Sequence, residues 1–337
     1  MLGPMRLAHV PLLAGMALLL AALPARAADT ICGRSAAEPP GPRAIAMAEA
    51  ARQEHLAFGG QTLDDQGRLL NAGRAEAEDT RDGFLSPAPW QRIVDYWRAV
   101  VPGDDRLPSQ VRFGALRPAQ RRLVAQALNQ ASAAHLQGLG VGPDQGLSSS
   151  ELRAAQVALT RVAVIDTPWS AAFISWLARQ AGLADDEFAF SAAHVDYAAG
   201  AWRAAVDEAA GRPTRYALRA CDLAATPPRV GDLMCQTRAG AAALDRFDDV
   251  GQALQAHAAG GGALPMHCDV VVQVDAQGFD TVGGNVLQSV TRRRIDFAPG
   301  TRRLDASYLP DACQPGTAGC IDRHMSRQPW SLLLQWR

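Results

Sequence analysis

The sequence predicts an α+β protein in which an antiparallel sheet packs against a buried helix, with further helices ahead of it. Two observations carry this prediction. From Pro168 to Ala178 no residue is charged; a surface helix of that length would show a polar face, so a helix here is buried nearly all round. After Gly211 the pattern changes to short apolar runs that read as strands. With 337 residues, 48% of them hydrophobic, the chain is long enough for one large domain or two small ones.

The first segment, Met1 to Ala27, reads as a cleavable signal peptide. Arg6 supplies a positive n-region, Val10 to Leu23 an apolar stretch, and Ala25-Arg26-Ala27 the cleavage site. A membrane anchor fits less well, because Pro11, Gly15 and Pro24 break a short run. Asp29 stands three residues before Cys32, where a lipidation signal has leucine. Removing residues 1–27 takes away Arg6 and Arg26 and no acid, which moves the formal net charge from −1 to −3. The expected location is the bacterial periplasm or the outside of the cell, as a soluble protein with no other membrane-spanning segment.

A helical region is expected over residues 28–150 and a sheet-bearing α+β domain over 151–337. Residues 28–43 form a loose Pro/Gly-rich arm, and Ala44 to Phe58 a helix that stops at Gly59-Gly60. Pro89 opens an amphipathic helix with Trp90, Ile93, Val94, Trp97 and Val101 on one face. Ala119 to Leu136 is a further helix, and Gly138 to Gly146 a glycine-rich linker. Ser148 and Glu151 form a capping box for a helix through about Val162. Thr167 is the expected N-cap of the uncharged helix and Pro168 its first residue, with Gly182 ending it.

The strands expected are Val230 to Cys235, Cys268 to Val274, Phe279 to Val282, Val286 to Val290, Arg292 to Phe297 and Trp330 to Trp336. In the second of these, Cys268, Val270, Val272 and Val274 share one face and His267, Asp269 and Val271 the other.

Composition excludes several chemistries. All 33 basic residues are arginine, so a Walker-type phosphate loop, a lysine Schiff base and a Ser-x-x-Lys site are ruled out. A net charge near zero argues against nucleic acid as a partner. The six cysteines, read in an oxidising compartment, imply three bridges. Cys313 and Cys320 close a small loop, and Cys235 and Cys268 sit on two strands that can be neighbours. Elimination leaves Cys32 with Cys221. A zinc site would want Cys-x-x-Cys spacing, which is missing.

Ser170 falls on the first turn of the buried helix, where unpaired backbone N–H groups and the positive end of the dipole favour developing negative charge. His267 stands at the entrance of a strand, from which an imidazole can face a helix start as a general base. Asn285 follows Gly283-Gly284, a pair read here as a tight turn that brings the amide to the imidazole. His194 and Tyr197 share a helical face and can line the same cleft. Arg292-Arg293-Arg294 with Arg302-Arg303 reads as a solvated strand end, or as a contact for anionic cell-wall polymers.

The ordered set Pro168-Trp169-Ser170-Ala171-Ala172-Phe173-Ile174-Ser175-Trp176, Gly182, His267-Cys268-Asp269-Val270 and Gly283-Gly284-Asn285-Val286 resembles the bacterial domain of unknown function 2272 family. Tyr96-Trp97-Arg98 and Gly231-Asp232-Leu233 are similar to it too. The same skeleton resembles the CHAP and NlpC-like amidases and peptidases of papain-like fold. The likeness covers roughly Pro168 to Val290 and implies a papain-like domain over 151–337, acting on peptide or amide bonds of peptidoglycan. This chain has Ser170 where those enzymes have their nucleophilic cysteine. A helix terminus contributes at most ~2 kcal/mol to an adjacent anion, enough to ionise a thiol near neutrality but not a serine hydroxyl.

The expected mechanism therefore has Ser170 as nucleophile, His267 as base and Asn285 as the orienting group, with Trp169, His194, Tyr197 and Asp269 lining the cleft and no cofactor. One alternative is an inactive papain-like binding protein of the cell envelope. Another is a metal-dependent hydrolase that uses His194 and His267, drawing on His194-x-Asp196 and His267-x-Asp269.

Overall fold

A computed structural model describes residues 30–73, 76–78, 87–101 and 148–337, with scattered positions between 103 and 138. The signal peptide, most of the helix expected over Ala119 to Leu136 and most of the following linker lie outside the described residues. The helices are α1 (Ile31–Ala36), α2 (Pro42–Ala57), α3 (Pro89–Val100), α4 (Ser149–Asp166), α5 (Ser170–Gln180), α6 (His194–Ala209) and α7 (Phe247–Ala258). The strands are β1 (Thr62–Leu63), β2 (Leu69–Asn71), β3 (Leu218–Asp222), β4 (Leu233–Thr237), β5 (Met266–Val274), β6 (Gly278–Val286), β7 (Ser289–Asp296) and β8 (Trp330–Trp336).

All eight strands join one open sheet in the order β2-β1-β7-β6-β5-β4-β8-β3. Every pairing is antiparallel except β1 with β7. The α+β expectation stands. One sheet face carries the larger core, where Ala44, Met47, Phe58, Tyr96, Phe173 and Leu177 meet Cys268, Val270 and Leu334. The other face carries a smaller core around Met234, Val271, Phe279, Tyr308 and Trp330. Helices α2 and α3, from the expected N-terminal region, thus pack into the same core as α5.

The uncharged segment forms the predicted buried helix: seven of its first eight residues, all but Trp176, are buried. Its start differs from the expectation. Thr167 is the C-cap of α4, and Trp169 the N-cap of α5, so Ser170 is the first helical residue. Pro168 explains the shift, because the residue before a proline is driven to extended backbone. Thr167 has ψ 126°, α4 stops there, and the two helices meet at 92°.

In β5 the alternation holds from Met266 to Val272, then a β-bulge falls between Val271 and Gln273. Val274 consequently packs against the smaller core, not on the Cys268 face. The Gly283-Gly284-Asn285 segment is strand, not turn. The chain reverses at Leu287 and Gln288, with φ 50° and 56°, between the paired residues Val286 and Ser289.

The three bridges are Cys32–Cys221, Cys235–Cys268 and Cys313–Cys320. Cys235 and Cys268 face one another directly across β4 and β5. Three disulfides suit an oxidising, extracellular environment. Among the described residues no single helix is long and apolar enough to cross a membrane.

Candidate functional site: a serine between two histidines

Ser170 opens α5, and its side chain is 3% exposed. Phe173 N–H is the first to bond back along the helix, to Trp169 C=O at 3.0 Å, so the amides of Ser170, Ala171 and Ala172 precede the helical ladder. The hydroxyl lies 2.7 Å from Nε2 of His194, the first residue of α6. Ser170 Oγ therefore lies at the N-terminus of α5, whose dipole favours negative charge there.

The other nitrogen of His194, Nδ1, is hydrogen-bonded to the hydroxyl of Tyr197. The pair sits one helical turn apart, the spacing that puts side chains on one helix face. Burial holds the His194 imidazole well below its usual range, helped by His267 and Arg238, so it is neutral. Burial likewise holds the Tyr197 phenol far above its usual range, so it keeps its proton.

The ring of His267 lies edge-on to His194, centroids 5.3 Å apart. Its Nε2 is 2.8 Å from Asp269 Oδ1; two residues apart on β5, the two side chains share a face. Asp269 is wholly buried, and its other oxygen accepts from Arg293 Nε at 2.9 Å and Thr281 Oγ1 at 3.2 Å. Burial alone would raise the Asp269 carboxyl, but Arg293 and His267 outweigh it and bring it down to about 2. A carboxylate only accepts, so His267 donates its Nε2 proton to Asp269.

Gly283 and Gly284 make room for this arrangement. A Cβ on Gly283 would come 1.9 Å from Asp269 Oδ1 and 3.2 Å from His267 Nε2. One on Gly284 would come 2.7 Å from Phe173 of α5. Strand β6 thus passes between the His–Asp pair and α5, and neither position tolerates a side chain.

Of the expected residues, the structure joins Ser170 to His194 and Tyr197, and His267 to Asp269, as two abutting pairs. It does not pair Ser170 with His267 by a hydrogen bond. Asn285 is half-buried in the bulge of β6 at φ 58°, and the side chain hydrogen-bonded to Nε2 of His267 is that of Asp269. Trp169 packs on Phe58 and Tyr96 in the aromatic core, and its buried indole N–H has no partner among the described residues. The two His-x-Asp units do not combine. Asp196 accepts from His257 and Ser191, and among the described residues no three His, Cys, Asp or Glu side chains gather to hold a metal.

Arg293 was the residue hidden from sequence reasoning. It sits in an Arg-Arg-Arg run that resembles a solvated strand end, yet it is 4% exposed. Strand alternation carries the clue, since the central arginine must face opposite to its neighbours.

What fold and site define is a disulfide-bonded α+β protein with a serine at a helix N-terminus beside two histidines. The chain belongs to the bacterial family described as uncharacterized protein conserved in bacteria (DUF2272), whose model matches residues 85–336. Searches of curated proteins and of solved structures each find no match.

Proposed function

We propose that this is an exported acyl hydrolase of the amidase or peptidase type, papain-like in layout, with Ser170 as nucleophile and peptide or amide bonds of the cell wall as substrate. The observation that supports it most is the 2.7 Å contact between Ser170 Oγ and His194 Nε2 at the start of a buried helix. A neutral imidazole on the hydroxyl, a second histidine backed by a carboxylate and free amides at a helix start are the parts that acyl transfer to serine needs. The substrate class rests on the resemblance to CHAP and NlpC-like enzymes, and three disulfides are consistent with an extracytoplasmic place of action.

Labelling with a fluorophosphonate, followed by peptide mass spectrometry, tests the nucleophile. The adduct is expected on Ser170 and nowhere else, and incubation with peptidoglycan fragments should release peptides that Ser170→Ala does not release. Turnover unchanged in Ser170→Ala would sink the reading. A second reading, a cell-envelope protein that binds such peptides without cleaving them, is favoured by the burial of Ser170, His194 and Tyr197, each at most 4% exposed. It predicts peptide binding with no adduct and no products.

A further inference from the structure

We propose that Gln236 and Arg238 form the substrate-recognition edge of this site, and that what they hold is a peptide with a free carboxylate. Arg238 takes the carboxylate, and Gln236 takes a peptide N–H about two residues away. This inference rests on the acyl-transfer reading above and adds the chemistry of the substrate to it.

The placement follows from the sheet. On β4, Gln236 stands directly opposite His267 of β5, so the two side chains project from one face as cross-strand neighbours. The ladder runs one residue beyond Thr237. Arg238 is extended, at φ −146° and ψ 172°, and its N–H donates to Pro265 C=O at 3.0 Å. Alternation therefore puts Arg238 on the face of Gln236 and His267, while Thr237 turns the other way and donates to Leu244 C=O at 2.8 Å. The ring of His267 lies against His194, and His194 against Ser170. Hydroxyl, two imidazoles, amide and guanidinium thus follow one another from the buried serine to an arginine open to solvent.

Both residues lack the partners their chemistry calls for. Gln236 is 5% exposed, and its Oε1 has no hydrogen-bond partner among the described residues. A buried acceptor in that state carries an uncompensated desolvation cost, which an N–H brought by a ligand removes. The Arg238 guanidinium has no acid or hydrogen-bond acceptor among the described residues, whereas Asp269 holds Arg293 and Asp296 holds Arg323. The protein around Arg238 desolvates it and lowers it from its usual value, and its charge is felt at His194 and Tyr197. Asp196, the acid whose charge reaches Tyr197, is taken up by His257 and Ser191. A reachable, partly desolvated guanidinium without a counter-charge binds a carboxylate through two parallel N–H bonds. Two residues of extended strand separate Gln236 from Arg238 by about 7 Å, the spacing of an N–H and a carboxylate in an extended peptide.

Calorimetry on the Ser170→Ala protein measures binding without turnover. The probes are soluble peptidoglycan peptides and the same peptides with their carboxylates converted to amides. The unmodified peptides should bind about tenfold or more tightly than the amidated ones, and salt should shrink the margin. Arg238→Gln should bring the two affinities together, and Arg238→Lys should restore part of the difference. Gln236→Met should weaken both by about tenfold and leave the urea midpoint at or above that of the parent, since an unpartnered acceptor is removed. Equal affinity for the two preparations, binding of neither included, or a margin that survives Arg238→Gln would overturn the assignment, and parental affinity in Gln236→Met would remove Gln236 from it. Fluorophosphonate labelling of Ser170 reports on the nucleophile separately in each case. A margin carried by Arg238 with no Ser170 adduct would keep the recognition edge and end the acyl-transfer reading instead.

Discussion

Replacing Asp269 with asparagine strikes the frame behind His267, and its cost follows from the contacts. The buried carboxylate receives Arg293 at 2.9 Å, His267 at 2.8 Å and Thr281 at 3.2 Å. Its fall from 3.8 to about 2 favours the carboxylate over the acid by about 2 kcal/mol in the folded protein. A carboxyl lowered by folding contributes that stability above its unfolded value near 4, and loses it as pH falls through about 2. Asparagine is harsher than protonation, because it leaves the Arg293 guanidinium, 4% exposed, with no counter-charge. Breaking one side of a buried pair costs about 3–5 kcal/mol. Urea unfolding at neutral pH should show a lower midpoint with an unchanged slope. The gap to wild type should narrow by about 2 kcal/mol as pH is taken from about 5 down to about 2. Adding Arg293→Met to Asp269→Leu should recover most of the loss. A deficit below about 1 kcal/mol at neutral pH, well short of the buried-pair cost, or one that ignores pH, would refute the ion-pair account.

Gly283→Ala should destabilise by about 2 kcal/mol or more, since its Cβ would sit 1.9 Å from Asp269 Oδ1; a midpoint equal to wild type would mean the strand has room that the geometry denies it. The reversal at Leu287 and Gln288 puts two ordinary residues at positive φ, so Leu287→Asn with Gln288→Gly should raise stability by about 1 kcal/mol, measured by the same unfolding experiment.

Helices α2 to α5 and strands β4 to β8 were legible because their causes are local. The charge-free run of α5, the Ser148–Glu151 capping box and the alternation in β5 and β8 each act over a few residues. What stayed hidden depends on contacts made across the chain. Strands β1 and β2 are two and three residues long, too short to show a period, and β1 is recruited by β7 from 230 residues away. Gly283-Gly284 looked like a turn because glycine marks turns and close approaches alike; only the positions of Asp269 and Phe173 decide between them. At the site, residue types identified Ser170, His194, Tyr197, His267 and Asp269. Their pairing did not follow, since a strand histidine can meet either a carboxylate two residues on or a more distant amide.

On the proposed acyl-transfer reading, the presence of serine and not cysteine at the start of α5 ties these features together. A thiol at a helix start is ionised by the dipole and a nearby imidazolium, and needs little else. A hydroxyl cannot be ionised that way, so a working serine at this position requires two things at once. One is a base whose protonated form is stabilised, and the other is a donor that supports charge on Oγ as the proton leaves. A single imidazole bonded to Oγ supplies only one of the two at any moment. Two imidazoles supply both, provided their tautomers are fixed differently with respect to Ser170. Tyr197 is bonded to one ring and Asp269 to the other.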